Sequence, residues 1–305
     1  MNPRIAVILP CYNEEAAIGL TVAGFRAALP DAEIFVFDNN SSDRTVEVAA
    51  QAGAIVRREP MQGKGHVVRR MFADIEADIY VMADGDATYD PVAAPEMIRR
   101  LKDEHLDMVV GARASEVDEA YRRGHRLGNR VLTGILAQLF GRSFSDILSG
   151  YRVFSRRFVK SFPILSAGFE IETEISVHAL ELRMPVAEMV TRYGARPEGS
   201  ASKLSTYRDG WRILRTILTL FRIERPVLYF GSLGLLLALL ALILAAPLVL
   251  TYAQTGLVPR FPTAILVTGL AIVACLCFFA GLILDTVVRG RREMRRLAYL
   301  ALPAI

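Results

Sequence analysis

The sequence predicts an α/β domain with a mainly parallel sheet, followed by interfacial amphipathic helices and a C-terminal hairpin of two transmembrane helices. Apolar segments alternate with amphipathic ones through residues 1–200, two long uncharged segments follow, and basic residues border them. Hydrophobic residues make up 52% of the 305 positions, and the mean hydropathy of +0.32 is high for a soluble protein. We therefore divide the chain into a first domain (1–200), a juxtamembrane segment (201–225), a hairpin (226–288) and a basic tail (289–305).

Strands and helices alternate along the first domain. Wholly apolar runs rich in branched residues predict buried strands at 5–9, 34–37, 54–56, 79–83 and 108–110. Apolar residues at helical spacing predict helices at 14–29, 43–52, 65–76 and 91–103. This alternation is typical of a parallel sheet covered by helices.

Two amphipathic helices are predicted after this alternation ends. Residues 121–140 combine an arginine-rich start with an apolar stripe, and residues 201–225 contain a similar stripe that includes Tyr207 and Trp211. A basic amphipathic helix with aromatic residues in its stripe suits a membrane interface. The alternative for both is a surface helix packed on the domain.

Two uncharged segments, at about 227–250 and 263–285, predict membrane spans. A helix of ~20 apolar residues crosses the hydrocarbon layer. The alternative is a pair of buried core helices, which seldom remain uncharged over so many positions. The sequence therefore favours a transmembrane hairpin.

The basic residues predict the orientation of this hairpin. Five arginines follow the second span and Arg222 and Arg225 precede the first, whereas the linker contains only Arg260. The positive-inside rule then places the first domain and both termini in the cytoplasm, as in a multi-pass protein of the inner (cell) membrane. The net charge of +4 requires no nucleic-acid partner, because much of the basicity lies beside anionic headgroups.

Polar clusters follow three of the predicted strands. They are Tyr12-Asn13-Glu14, Asp38-Asn39-Asn40 and Asp84-Gly85-Asp86. In a parallel sheet the carboxyl ends of the strands lie along one edge, where ligands bind. The three clusters therefore predict a single cleft.

The chemistry of these residues suits a divalent cation and a phosphorylated ligand. Asp84 and Asp86 can converge on Mg²⁺ or Mn²⁺, which prefer oxygen ligands and bridge to phosphates. The cationic turn Gly63-Lys64-Gly65 opens a helix and suits a phosphate. Taken singly, each feature has a plain alternative: an aspartate-rich turn, or a lysine exposed to solvent.

In order and spacing, these motifs and three others resemble the family 2 glycosyltransferases, which have the GT-A fold. The matching segments are Leu9-Pro10-Cys11-Tyr12-Asn13-Glu14, Asp38-Asn39-Asn40-Ser41-Ser42-Asp43-Arg44-Thr45, Gly63-Lys64-Gly65, Asp84-Gly85-Asp86, Val110-Gly111-Ala112-Arg113 and Ser149-Gly150-Tyr151-Arg152. With the stretch 196–203 and the two spans, the chain is most similar to the dolichyl-phosphate mannose synthase and polyprenyl-phosphate glycosyltransferase branch.

The resemblance implies a role for each candidate residue. The nucleotide-sugar donor, with UDP or GDP, would be held by Pro10, Tyr12, Asn13, Glu14, Asp38, Asn40, Lys64, Gly65, Asp84 and Gly85. Asp84 and Asp86 would bind the metal, and the acceptor phosphate would be held by Arg113, Arg130, Arg152, Arg196, Ser202 and Lys203. The catalytic set would be Asp84, Asp86, Arg113 and Asp146. Relatives with this hairpin also suggest a homo-oligomer.

The sequence departs from the branch in three places. Ala87-Thr88 follows the metal motif where a ligating glutamine is usual, Asn39 replaces a second aspartate, and an extra residue separates Gly199 from Ser202. The third metal ligand is therefore undefined. The acidic positions Glu170, Glu172 and Glu174 fit either sugar hydroxyls or a solvated helix start.

The nature of the acceptor decides whether a general base is needed. A phosphate monoester has a second pKa of ≈ 6, so it is largely anionic at neutral pH and attacks unaided. A hydroxyl acceptor needs a base, for which Asp146 is the best candidate. The alternatives to a polyprenyl-phosphate transferase are therefore a transferase acting on a lipid or glycan hydroxyl, and a catalytically silent scaffold that binds nucleotide-sugars.

Overall fold

The computed structural model describes residues 3–115, 144–164, 167–168, 170–197, 215, 218–219, 221–223 and 225–303. Two compact units emerge, which we call the sheet unit (residues 1–213 with 295–305) and the hairpin unit (residues 214–294). The predicted helix at 121–140 lies outside the described residues. So does most of the predicted helix within 201–225, and both helices remain predictions.

The sheet unit contains seven strands and six helices among its described residues before position 200. The strands are β1 (Ile5–Cys11), β2 (Glu33–Asp38), β3 (Ile55–Arg58), β4 (Ile79–Met82), β5 (Met108–Ser115), β6 (Arg152–Ser155) and β7 (Val186–Tyr193). The helices are α1 (Ile18–Ala28), α2 (Thr45–Gln51), α3 (Lys64–Asp74), α4 (Ala94–Asp103), α5 (Arg156–Ser161) and α6 (Ile171–Glu181). A short 3₁₀ turn, Pro91–Ala93, precedes α4.

The strands form one mixed sheet in the order β3-β2-β1-β4-β6-β5-β7. Strand β6 is antiparallel to β4 and β5, and the other described pairs are parallel. The predicted α/β fold with a mainly parallel sheet is confirmed. The five strands predicted from apolar runs are β1 to β5, whereas β6 and β7 were not predicted.

Helices cover both faces of this sheet, so its central strands β1 and β4 are continuous apolar runs. Val81 and Val153 belong to a core cluster with Val7 and Phe25 on one face. Because side chains alternate along a strand, the adjacent Phe154 lies on the other face. There it forms an aromatic cluster with Phe72, Tyr80, Phe158 and Phe162, which also contains the buried ring of His178.

The hairpin unit contains two long apolar helices, α7 (Pro226–Thr255) and α8 (Phe261–Leu300). Both are long and apolar enough to cross a membrane, with mean hydropathies of 2.9 and 2.6 in their most apolar windows. Only 11% of each window is buried, which does not fit the alternative of core helices. Gly234 permits close packing, because a Cβ there would lie 3.0 Å from the Ala274 carbonyl oxygen.

Helix α8 continues to Leu300, through most of the segment predicted as a separate basic tail. From Arg295 onward its residues belong to the sheet unit. Arg295 pairs with Glu181 at 2.7 Å, and the Tyr299 hydroxyl donates to Asp107 Oδ2 at 2.6 Å. Arg157 lies 4.3 Å from the centre of the Tyr299 ring. We call residues 295–303 the C-terminal segment.

Candidate active site

The predicted cleft lies along the edge where β1, β2 and β4 end. Cys11 at the end of β1 is opposite Asp38 at the end of β2, and β1 also pairs in parallel with β4. The polar clusters that follow these strands therefore share one edge of the sheet.

The turn after β1 is fixed to the turn after β2. Asn13 has φ 52°, its backbone N–H donates to Ser41 Oγ at 2.8 Å, and its Oδ1 accepts from the Ser42 N–H at 2.8 Å. The buried Glu14 donates its N–H to Thr45 Oγ1 at 2.8 Å. Asn13 and Glu14 thus hold the turn in shape.

Tyr12 and Pro10 differ in how they face the cleft. Tyr12 keeps 39% of its surface exposed, so part of its side chain can be reached from solvent. Pro10 belongs to β1, next to the buried Cys11. Of the predicted donor residues in this segment, Tyr12 is therefore the accessible one.

The cluster after β2 consists of a buried carboxylate, Asp38, and two asparagines that support a loop. Asp38 is 2% exposed and accepts from the Ser41 N–H at 3.2 Å. Asn39 donates to the carbonyls of Glu59 and Met61 and accepts from the Gly63 N–H at 2.7 Å.

Asn40 completes this support. It has φ 64°, and its side-chain amide donates to the Pro60 carbonyl at 2.9 Å. Asn39 and Asn40 thus position the loop that leads into Lys64. An aspartate at position 39 would lose the amide donor, which explains the departure noted in the sequence.

Lys64 lies between two carboxylates. Its Nζ is 2.5 Å from Asp84 Oδ1 and 2.5 Å from Glu172 Oε1. Burial alone would lower the pKa of Lys64, but the charges of Asp84 and Glu172 raise it above its ordinary value. The lysine is therefore a fixed positive charge in the cleft.

The backbone around Lys64 is held closely. Gly63 has φ 133°, and a Cβ at that position would collide with the Ala167 carbonyl oxygen. The same carbonyl accepts from the Gly65 N–H at 3.1 Å. Gly63 is therefore needed for the close approach of this turn to residues 167–168.

Asp86 is buried and Asp84 is more open. Asp86 is 3% exposed, accepts from Thr88 Oγ1 at 2.6 Å and pairs with Arg196 at 2.6 Å. Burial is the largest cause, and the charge of Asp84 the second, that raises the pKa of Asp86 above its ordinary value. The structure thus brings the two carboxylates close enough to repel each other.

Two glycines make room for this pair. A Cβ at Gly85 would collide with Cys11 Sγ, and one at Gly150 would lie 2.9 Å from Asp84 Oδ2. The Gly150 N–H also donates to the Tyr89 hydroxyl at 2.8 Å. The Ser149-Gly150 motif therefore borders the same site.

The two carboxylates fit a divalent cation, since they are adjacent hard oxygen donors that repel each other without one. Within the described residues no cluster of three or more His, Cys, Asp or Glu side chains could hold a metal. Asp90 instead caps the 3₁₀ turn by accepting from the Val92 N–H at 3.0 Å. A bound diphosphate or water could supply further ligands.

Arg113 and Asp146 neutralise each other at the side of the cleft. The guanidinium donates to both Asp146 oxygens at 2.7 and 2.8 Å, and these side chains are 15% and 9% exposed. Backbone N–H groups of Ser145 and Asp146 are held in turn by Glu188. Asp146 is thus an ion-pair partner in this structure, which argues against its use as a base.

Arg152 does not occupy the position predicted for it. It is fully buried and donates to the carbonyls of Ser149, Ile147 and Glu172 at 2.9, 2.7 and 3.1 Å. Burial lowers its pKa to about 10. This burial argues against the predicted contact with the acceptor phosphate: Arg152 instead joins the 147–149 segment to the start of α6.

Of the remaining candidates for binding the acceptor phosphate, the structure describes one, Arg196. Arg196 lies at the site, paired with Asp86. Arg130, Ser202 and Lys203 lie outside the described residues, so their roles stay predictions.

Glu172 is the main residue whose role the sequence did not define. It is 4% exposed, unlike a residue of a solvated helix start, and it contacts Lys64. The acidic run at the start of α6 was the only local signal. The pairing itself depends on tertiary structure.

Comparisons with known proteins agree with this geometry. The family model described as Glycosyl transferase family 2 matches residues 6–162. Glycosyltransferase AglJ of Haloferax volcanii is 36% identical over 232 residues, which is 75% of this chain and 76% of that protein. A dolichyl-phosphate hexose transferase of the same organism is 28% identical over 222 residues, covering 72% of this chain and 95% of its own.

A similar fold is found in a solved structure of glucosyl-3-phosphoglycerate synthase from Mycobacterium tuberculosis, in complex with Mn²⁺, UDP and glucosyl-3-phosphoglycerate. The TM-score is 0.59 at 25% identity, and the match covers 72% of this chain and 79% of that chain. The GT-A fold expected from the motifs is confirmed.

Proposed function

The chain belongs to glycosyl transferase family 2, and from this premise we propose that it transfers a hexose or related sugar, with inversion, from a UDP- or GDP-sugar to a polyprenyl phosphate. One observation carries the proposal: the paired carboxylates of Asp84 and Asp86 lie in one cleft with the cations of Lys64 and Arg196. Carboxylates for a metal and cations for phosphates are what transfer between two phosphate-bearing substrates requires.

The donor would lie over the ends of β1, β2 and β4. Tyr12 offers an exposed ring to the base, and the nearly buried Asp38 keeps the ribose-binding role that the resemblance implies. Asp84 and Asp86 would hold Mg²⁺ or Mn²⁺, which when bound neutralises charge on the departing diphosphate. Support comes from the similar fold of a synthase solved with Mn²⁺ and UDP.

A phosphate acceptor agrees with the state of Asp146. Because Arg113 holds that carboxylate in a two-point ion pair, a free general base is not evident there. An acceptor that is already anionic needs positioning and charge neutralisation instead. Arg113 and Arg196 are the described cations for this role, and we keep Arg130, Ser202 and Lys203 as further phosphate ligands.

Two apolar helices would keep the enzyme where a prenyl lipid lies. Their lengths fit a transmembrane hairpin, and the arginines beside them favour a cytoplasmic sheet unit in the inner (cell) membrane. The named activity of the dolichyl-phosphate hexose transferase relative supports a lipid phosphate acceptor. We propose a homo-oligomer from the resemblance alone.

The alternatives make different demands on the same residues. A hydroxyl acceptor would require Asp146 to separate from Arg113 before it could accept a proton. A silent scaffold would have no need of the adjacent metal carboxylates, which are retained here.

The test is nucleotide release from a panel of UDP- and GDP-sugars with Mg²⁺ or Mn²⁺, with and without undecaprenyl phosphate in vesicles. Release that depends on the lipid, with a sugar-lipid product seen by mass spectrometry, is expected from one donor. Release unaffected by the lipid would reject the polyprenyl-phosphate acceptor. No release with any pair would favour the scaffold.

Two basic residues outside the described part extend this test. Lys203→Ala and Arg130→Ala are expected to raise the KM for the lipid more than the KM for the donor, because each removes a predicted phosphate ligand. Steady-state kinetics with each substrate varied in turn measures this. Equal effects on both substrates would place these residues at the donor instead.

A further inference from the structure

The cleft holds its metal carboxylates in ion pairs with its own cations. Lys64 pairs with Asp84, and Arg196 pairs with Asp86. A divalent cation that binds both carboxylates must therefore compete with two positive side chains. Such competition would weaken metal binding unless each displaced cation had another anionic partner.

For Lys64 that partner is already in contact. Its Nζ is 2.5 Å from Glu172 as well as from Asp84, and an ammonium group has three N–H donors to share between them. The Lys64 and Glu172 side chains are 10% and 6% exposed, while Asp84 is 30% exposed. Of the two carboxylates that contact Lys64, Asp84 is therefore the more exposed to solvent and Glu172 the more buried.

Burial makes this second partner necessary. An ammonium group left unpaired in a protein interior is costly, and breaking a buried ion pair by removing one partner is strongly destabilising. Lys64 cannot readily turn to solvent, because the Gly63–Gly65 turn is held by Asn39 and by the Ala167 carbonyl. If a metal takes Asp84, Lys64 must be neutralised within the cleft.

Glu172 is well placed to do so. It lies at the start of α6, its backbone carbonyl accepts from the buried Arg152, and the residue is only 4% exposed. Lys64 begins α3, Asp84 follows β4 and Glu172 belongs to α6, so three separate elements form this contact.

We propose that Glu172 is a positioning residue that retains Lys64 when a divalent cation takes Asp84, and so permits metal binding in the cleft. In this arrangement Lys64 is the counter-ion of Asp84 before the metal arrives. Afterwards it stays in the cleft, paired with Glu172 and directed towards the phosphates of the donor. The inference rests on the metal site of the proposed function.

The charge on Glu172 is tested first. Glu172→Gln removes one of the two carboxylates described around Lys64, so the attraction between Lys64 and Asp84 grows and the metal competes less well. We expect the Kd for Mn²⁺ to rise by about tenfold or more, a loss common for outer-shell partners of metal ligands. The measurement is Mn²⁺ titration of the full chain in detergent, without nucleotide, followed by electron paramagnetic resonance.

A double-variant cycle separates this role from a merely structural one. Lys64→Met removes the competing cation, so the Kd for Mn²⁺ should equal or fall below that of the unmodified chain. In Lys64→Met/Glu172→Gln the loss caused by Glu172→Gln should disappear, because no ammonium remains to hold Asp84. A loss that persists in the double variant would overturn the proposal.

Two further variants keep the result interpretable. Glu172→Asp retains the charge but moves it back by one methylene, so a smaller loss of Mn²⁺ affinity is expected. Circular dichroism checks that this variant still folds. The matched control is Glu47→Gln, the same change at an exposed position in the first turn of α2, which should leave the Kd unchanged.

The outcomes also distinguish this inference from the proposed function. If the unmodified chain binds Mn²⁺ and Glu172→Gln binds it equally well, the role of Glu172 is rejected while the metal site stands. If the unmodified chain binds no Mn²⁺ even with UDP present, the metal site itself is rejected.

Discussion

The two edges of the sheet each bury an aspartate beside an arginine, yet the environments differ. Asp86 follows β4 at the cleft and is 3% exposed, while Asp107 precedes β5 at the opposite edge and is 1% exposed. Asp107 accepts from Ser155 Oγ at 2.8 Å, from Arg157 at 3.0 and 3.1 Å and from Tyr299 at 2.6 Å.

Asp86 has a weaker set of partners and a repelling neighbour. It accepts from Thr88 and pairs with Arg196, but Asp84 lies beside it. Burial is the main cause of the raised pKa of Asp86, and the charge of Asp84 is the second. Burial of an acid is thus shared by both edges. The closeness of two carboxylates is specific to the cleft, and it is this feature that favours a divalent cation.

The largest difference between the two edges should appear in activity. Asp86→Asn preserves the shape of the side chain but removes a metal carboxylate, so sugar transfer should fall by about three orders of magnitude. The unfolding midpoint should stay close to that of the unmodified chain. Nucleotide release and thermal unfolding measure the two quantities, and retained transfer would remove Asp86 from the metal site.

The matching change at the opposite edge should have the reverse effect. Asp107→Asn leaves Arg157, which is 19% exposed, without its charged partner, so the free energy of unfolding should drop by about 3 kcal/mol. Activity per folded molecule should stay within about twofold, since Asp107 is far from the strand ends of the cleft. Denaturant unfolding monitors the loss. A specific loss of activity would contradict the division between the edges.

The close packing of the metal motif gives a smaller effect that can be reversed. Gly85→Ala places a methyl group against Cys11 Sγ and should displace Asp84 and Asp86, lowering transfer by about 10²-fold. Cys11→Ala removes the sulfur, so Gly85→Ala/Cys11→Ala should recover much of the rate. Cys11→Ala alone is the control. Equal losses in the single and double variants would mean that the collision is not the cause.

The smallest effect concerns His178, near the opposite end of α6 from Glu172. Burial, then the charge of Arg295, lowers the pKa of His178 from 6.5 to about 4. The folded chain therefore resists a proton that the unfolded chain accepts, and stability from this group is lost as pH falls from 6.5 towards 4. The free energy of unfolding should be about 2 kcal/mol lower at pH 5 than at pH 7 because of this group.

Replacing the ring tests this dependence. His178→Phe suits the aromatic cluster formed with Phe158 and Phe162 and cannot be protonated. The difference in unfolding free energy between pH 7 and pH 5 should shrink by that amount in the variant. An unchanged difference would show that His178 is not the group responsible.

The sequence predicted those parts of the fold and site that depend on local pattern. Apolar runs located β1 to β5, and because parallel strands end at one edge, the shared cleft of the polar clusters after β1, β2 and β4 followed. Strand β6 was missed because it is four residues long and begins with Arg152. Strand β7 was missed because its residues are mostly half-buried and mixed in polarity.

Other features depend on contacts between distant segments. Lys64 and Glu172 meet only in the folded chain, and no spacing rule links them. Arg152 was assigned to a phosphate from the family resemblance and because guanidinium groups bind phosphate oxygens, and no local pattern indicates that three carbonyls enclose it. The end of α8 was taken for a free tail because its arginines resemble residues of a membrane border.

The C-terminal segment has a consequence for the order of synthesis. Residues 295–303 complete the sheet unit through Asp107 and Glu181, but the ribosome makes them only after α7 and most of α8. A nascent chain that has reached residue 213 therefore exposes a carboxylate and an arginine that later bind Tyr299. Domains generally fold as they emerge, N-terminal first. Here the last step of folding must wait until the hairpin has been translated.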